Sequence, residues 1–287
     1  MPIGVMSSLS NGVGMSLAQA AAAIALCIAV VLVCRRFAVH VERETVTSRG
    51  LVQMALVGVI LALLLNSNLL VGVLILFVMM VAAALTASRR AHGIWGARSL
   101  SFYSIAAGSG IVIASMLAMG VLNAKIAMLV PVGSMIIANA MNACAQSIER
   151  FRSDVTAHVG RVETALALGA DPAVSVAPYV QTSVYASLLP RLDMLKSLGL
   201  VWIPGVMAGM VLSGASPLYA GIYQFIVVAM ILAASGITGM VATLLVRTRA
   251  FSPAQQLVLR PDEPRQTQMG LGDEPKPAIS RPKPSVS

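Results

Sequence analysis

The chain has 287 residues, 57% of them hydrophobic and only 11% charged, and a mean hydropathy of +0.85. An ordinary soluble domain carries about 25% charged residues, so a water-soluble globule is excluded. Several apolar runs approach the ~20 residues that cross a bilayer core, and lipid admits such runs only as helices or closed barrels. The net charge of +9 is scattered through loops and the tail, not gathered on one soluble face, which excludes nucleic acid as a partner.

Residues 1–15, MPIGVMSSLSNGVGM, hold no Lys or Arg. A cleaved secretory signal would start with basic residues, so this stretch is expected to remain as a short extracytoplasmic N-terminus. Seven helical spans are expected, at about 16–34, 50–65, 69–87, 99–119, 126–147, 197–212 and 218–246. With the N-terminus outside and the C-terminus inside, nineteen of the twenty Lys and Arg fall in cytoplasmic segments, and Lys125 alone falls outside. Cytoplasmic loops collect basic residues in this way. The fold class is therefore all-α, a polytopic helical membrane protein. Its transmembrane domain covers 16–250, with a cytoplasmic insert at 148–196. A tail at 251–287, rich in Pro, Gln and charge, is expected to be disordered and cytoplasmic.

The three cysteines, Cys27, Cys34 and Cys144, lie in or beside apolar runs without a CxxC spacing and read as small buried hydrophobes. His40, His92 and His158 are dispersed, so the metal ligands, if any, stay unknown. Seventeen methionines suit either core packing or a soft metal.

The insert holds the most informative pattern. Ile148, Phe151, Val155, Val159, Val162 and Leu166 recur at steps of three and four, one apolar stripe on an amphipathic helix. Gly169 is placed to close that helix with a left-handed cap. Asp171 offers the next N-cap and Pro172 the first helical position, and Pro178 limits or kinks the helix that follows. Such an elbow would serve either to pass a push from a soluble motor into the membrane or to seal the bundle at its surface.

Within the fifth span Met135, Asn139, Asn142 and Gln146 form one polar stripe. Amides in lipid need a partner or a wet cavity, so the stripe is either a pathway wall or a set of inter-helix hydrogen bonds. Pro204 inside the sixth span, and the Gly205 and Gly209 pair, indicate close packing, a dimer contact or a hinge. Asp193 and Lys196 are spaced to pair where the sixth span begins. All eleven Asp and Glu lie outside the expected spans, which argues against a proton-coupled carrier.

ETALALG at 163–169 matches the Glu-Ala-Ala-x-x-x-Gly core of the cytoplasmic loop of ABC transporter permeases at Glu163, Ala165 and Gly169. An apolar-Leu-Pro element follows at Leu188, Leu189 and Pro190. Together with PVGSMIIANAM (131–141) and LPRLDMLKSLGLVWIPGVMAGMVLSGASPLYAGIYQ (189–224), these segments resemble the FetB-type family of ABC permeases over about residues 16–250. That family spans bacterial iron-export and plant aluminium-tolerance permeases. The chain departs from its pattern at Ser134 and Ala138, where glycines are usual, and at Ser216, where Asp usually precedes the proline.

The resemblance implies a multi-pass inner (plasma) membrane permease subunit that exports metal, iron above all. Its ATPase-coupling residues would be Glu163, Ala165, Gly169, Asp171 and Pro172. No GxxxxGK[ST] loop is present to cradle ATP phosphates. No cofactor is therefore expected on this chain, and ATP with Mg belongs to a separate ABC ATP-binding subunit. The implied assembly is two permeases, in contact with lipid, and two ATPases. An ATP-independent carrier or channel would transport alone, and a membrane scaffold would assemble without transport.

Overall fold

A computed structural model describes residues 69–91, 94–122, 126–252 and 254–259, with isolated helical positions between 22 and 36. The expected spans at 16–34 and 50–65 lie outside the described residues save for a few positions at 22–29, as does everything beyond 259. The chain divides into two compact units, one of 1–76 with 122–131 and one of 77–121 with 132–287.

Eight helices are described: α1 Leu69–Ser88, α2 Ala97–Ala118, α3 Ile126–Ala157, α4 Val159–Ala167, α5 Pro172–Ser175, α6 Ala177–Ser197, α7 Gly205–Leu212 and α8 Pro217–Arg249. Among the described residues the only β pairings are isolated bridges, Leu198 with Trp202 and Phe251 with Leu257. The protein is thus all-α. Four helices are long and apolar enough to cross a membrane: Leu69–Ser88, Ala97–Ala118, Met128–Ala157 and Pro217–Arg249. They match the third, fourth, fifth and seventh expected spans.

The sixth expected span, 197–212, is not one helix. Its N-terminal half breaks at Leu198, which is extended, and at Gly199, whose φ of +77° suits a glycine. Pro204 then sits outside the next helix as the N-cap residue of α7. At eight residues α7 is roughly 12 Å long, too short to span. Hydropathy could not show this, because Leu198, Leu200, Val201, Trp202 and Ile203 are as apolar as a helix core.

In the larger unit α8 is the element against which the others pack, touching α2, α6 and α7. Its N-terminus is fixed by Ser216, whose hydroxyl accepts the Tyr219 N–H at 3.3 Å, with Pro217 opening the helix. Ser216 thereby does the capping that an Asp would do. The direction of each partner follows from its contacts. A side chain at Gly108 of α2 would strike the Ala234 carbonyl, and Arg249 donates to the carbonyls of Trp95 and Gly96 at 2.9 and 2.6 Å. So α2 and α8 run antiparallel. Gly239 faces Ser187 of α6, Gly236 faces Leu188, and Gly221 faces Met207 of α7, so α6 is also antiparallel to α8. Gly236 and Gly239 are the seat of that joint.

The C-terminal segment differs from expectation. After α8 the chain turns back: Ser252 N–H bonds the Gln256 carbonyl and Val258 N–H the Ala250 carbonyl, both at 2.8 Å. Leu257 and Leu259 are buried. Phe251, Leu257 and Leu259 accompany a return over 250–259, the first part of the tail that composition assigned to disorder; the rest of that tail lies outside the described residues.

Candidate functional site

The site begins where the fifth span leaves its apolar sequence. Helix α3 does not stop at 147 but continues unbroken to Ala157. The predicted stripe divides between α3 and α4, broken at His158 (φ −125°, ψ 30°), whose ring stacks on Tyr179 at 5.5 Å. Ile148, Phe151, Val155 and Val162 are fully buried, so the stripe faces protein.

Helix α4 closes on Gly169 (φ +86°). The Ala170 N–H reaches the Ala165 carbonyl at 3.0 Å and the Gly169 N–H the Leu166 carbonyl at 2.9 Å, the paired bonds of a Schellman cap. Two residues later the Asp171 carboxylate accepts the Ala173 N–H at 2.7 Å, and Pro172 opens α5. After this single turn Val176, fully buried, joins α5 to α6. Pro178 falls in the first turn of α6, where its missing N–H costs nothing, so it starts that helix and does not kink it. The elbow is therefore tied at each end by hydrogen bonds and carries α6 directly. On its surface stand Glu163, Leu168 (84% exposed) and Val174 (66% exposed). Beneath it a cavity of about 310 Å³ is lined by Asp171, Pro172, Ala173, Arg247, Thr248, Phe251 and Gln255. It joins the elbow to the end of α8.

The amide stripe of α3 is only partly enclosed. Met135, Asn139 and Gln146 are half-buried and Asn142 is exposed. The Asn139 amide donates to the Met135 carbonyl one turn back at 2.8 Å, so part of its polarity is answered within its own helix. The remainder meets Arg191 of α6. That guanidinium donates to the Asn139 carbonyl at 3.3 Å and to the Gln146 side-chain oxygen at 3.5 Å, and the residue is 6% exposed.

Arg191 was not legible as a site residue, because the sequence places it in the cytoplasmic insert. The structure puts it beside the middle of a membrane-length helix. The available signal was length: the 177–197 stretch is long enough to cross a bilayer and holds only three charged residues.

Other expected residues are not brought into this cluster. Pro190 lies inside α6, next to Arg191. Its ring leaves the Ala186 carbonyl without its usual helical donor, which keeps a hinge there physically open. Pro204 is outside any helix, so it is not a helix-kinking hinge. Gly205 and Gly209 have open space beside them among the described residues. Asp193 and Lys196 approach at 3.9 Å on the exposed surface, in the last turns of α6 and not at the start of a helical span. Among the described residues no three His, Cys, Asp or Glu side chains gather as a metal-binding group.

Comparison with known proteins gives the family. A model described as "Uncharacterised protein family (UPF0014)" matches residues 17–251. The "UPF0014 membrane protein STAR2" of rice is 31% identical over 246 residues, covering 85% of this chain and 86% of that protein. The Arabidopsis thaliana "Protein ALUMINUM SENSITIVE 3" is 31% identical over 211 residues, 73% of this chain and 77% of that protein. The Escherichia coli "Probable iron export permease protein FetB" is 28% identical over 243 residues, 83% of this chain and 93% of that protein. No solved structure matches the chain.

Proposed function

The chain belongs to the UPF0014 family of multi-pass membrane proteins, and from that premise we propose that it is the permease subunit of an ABC transporter exporting metal ions, iron foremost. A separate ATP-binding subunit supplies the energy, and two permeases work with two such subunits. The names of the bacterial and plant relatives support the cargo. The mechanical reading rests on one observation, the capped elbow that continues into α6 while α6 lies along α8 and touches the amide stripe of α3.

In this reading Glu163, Leu168 and Val174 face the ATPase. The Schellman cap at Gly169 and the Asp171 cap make the elbow stiff, so a displacement reaches α6 without being absorbed. Helix α6 crosses the bilayer as the sixth span: twenty-one residues cover about 32 Å, and its antiparallel run beside α8 needs that length. The segment 198–212 then forms a tight turn closed on the Ser197 carbonyl and the short helix α7 at the outer face. Seven crossings, with the N-terminus out and the C-terminus in, follow. The two long bonds of Arg191 are the contacts that sliding of α6 on α3 would break first. ATP binding favours one arrangement only as far as the ATPase binds that state more tightly.

Proteoliposomes holding this chain and a Walker-motif ATPase, sought first in the neighbouring reading frames, test the proposal. Ferrous ion should stimulate ATP hydrolysis and leave the cytoplasmic side. Glu163→Lys should abolish that stimulation and weaken co-purification of the two subunits. Flux through the chain alone, or full coupling in Glu163→Lys, would overturn it.

A further inference from the structure

Arg191 is a buried cation that meets no opposite charge among the described residues. Among the described residues the ion pairs join Arg90 to Glu149, Arg150 to Asp154 and Lys196 to Asp193, and none includes Arg191. Asp193, two residues along, is 64% exposed and turned to Lys196. The guanidinium carries five N–H donors, yet it makes two bonds, at 3.3 and 3.5 Å. Such bonds usually measure about 2.7–3.2 Å. Its Nε is buried without a partner. A structural clamp would use the fork at short range. A charge beside a membrane-length helix is retained when something pairs with it, and a planar guanidinium is matched by the two oxygens of a carboxylate or phosphate.

We propose that Arg191, with the Gln146 and Asn142 amides of the same stripe as neutral donors, binds an oxyanion carried by the translocated species. The inference rests on the transport reading above and narrows its substrate class. Metal moves along α3 as an anionic carboxylate or phosphate complex, because a bare cation would be repelled by the guanidinium at the stripe. The lone Asn and Gln amides could not by themselves tell a cation from an anion. Arg191 can.

The full chain in phosphatidylcholine nanodiscs is titrated calorimetrically with citrate, ferric citrate and ferrous ion alone. Citrate and ferric citrate should bind, and Arg191→Gln should weaken both at least tenfold, with Arg191→Lys between. Arg191→Met should melt no lower than the parent, because exchanging an unpaired buried charge for an apolar side chain relieves desolvation. A large drop in its melting temperature would show a structural clamp and overturn the proposal. So would unchanged citrate binding in Arg191→Gln, or ferrous ion binding with no response to either citrate form; this last result would leave metal export standing. In phosphatidylglycerol nanodiscs, stabilisation of the parent over Arg191→Gln without citrate binding in either lipid would assign the guanidinium to a headgroup and overturn a translocated anion. If export itself fails in the proteoliposomes, citrate binding at Arg191 is still read independently.

Discussion

Replacing Gly108 by alanine separates tight helix packing from general apolarity. A Cβ at Gly108 would lie 2.6 Å from the Ala234 carbonyl oxygen and 2.9 Å from the Thr238 nitrogen, besides meeting the Thr238 hydroxyl. The hydroxyl can swing aside, but the backbone atoms cannot. Ordinary contact begins near 3.4 Å, so α2 and α8 must separate by roughly 0.8 Å. Overpacking of this kind costs about 1–3 kcal/mol, against a gain of up to ~1 kcal/mol from helix propensity. The expected net loss is as much as ~2 kcal/mol. Gly110, two residues along and so on another face of the helix, with open space beside it, supplies the control: Gly110→Ala should be neutral or stabilising. Gly239→Ala falls between, since its obstacle is the Ser187 hydroxyl at 2.5 Å, a side chain that turns at the expense of its bond to the Val184 carbonyl. Equilibrium unfolding in mixed micelles with rising dodecyl sulfate ranks the three. Equal stability of Gly108→Ala and Gly110→Ala would refute the close α2–α8 contact.

The remaining predictions concern the elbow, the stripe and the inner end. Asp171→Ala removes the cap on Ala173 and should cost about 1 kcal/mol; Gly169→Ala, forced to hold φ +86°, should cost about 1–2 kcal/mol. Both should reduce metal-stimulated ATP hydrolysis by more than they reduce recovery of the two-subunit complex, measured by co-purification. Asn139→Leu should impair flux in proteoliposomes while leaving assembly intact, and unaltered flux would remove the stripe from the pathway. Arg249→Gln should free the Trp95 and Gly96 carbonyls and speed amide hydrogen exchange in the first turn of α2, with exchange in the middle of α8 unchanged.

Much of this architecture was readable from residues because the relevant signals are local. Apolar length set α1, α2 and α8 within a few positions. The Gly169, Asp171 and Pro172 sequence specified the elbow's turns, since a left-handed cap, a short acceptor and a fixed φ have few substitutes. What escaped was decided by backbone geometry inside uniformly apolar sequence. From Leu198 to Pro204 nothing in the sequence distinguishes helix from turn except Gly199 and Pro204. Arg191 escaped for the opposite reason: its helix has no clear apolar stripe, burying Tyr179, Ser183, Ser187 and Arg191 itself, so a charge beside a proline gave no sign of a buried face. Only the partner across the gap, the α3 stripe, shows that Arg191 packs against a membrane-length helix.

The sidedness of Leu168 tests the central claim most directly. With Cys27, Cys34 and Cys144 replaced, Leu168→Cys places one thiol at the elbow's exposed tip. A membrane-impermeant maleimide should label it in inside-out vesicles and leave it untouched in right-side-out vesicles, with protection when the ATPase is bound. Labelling from the outer face would place the elbow beyond reach of any ATP-driven partner and contradict the account.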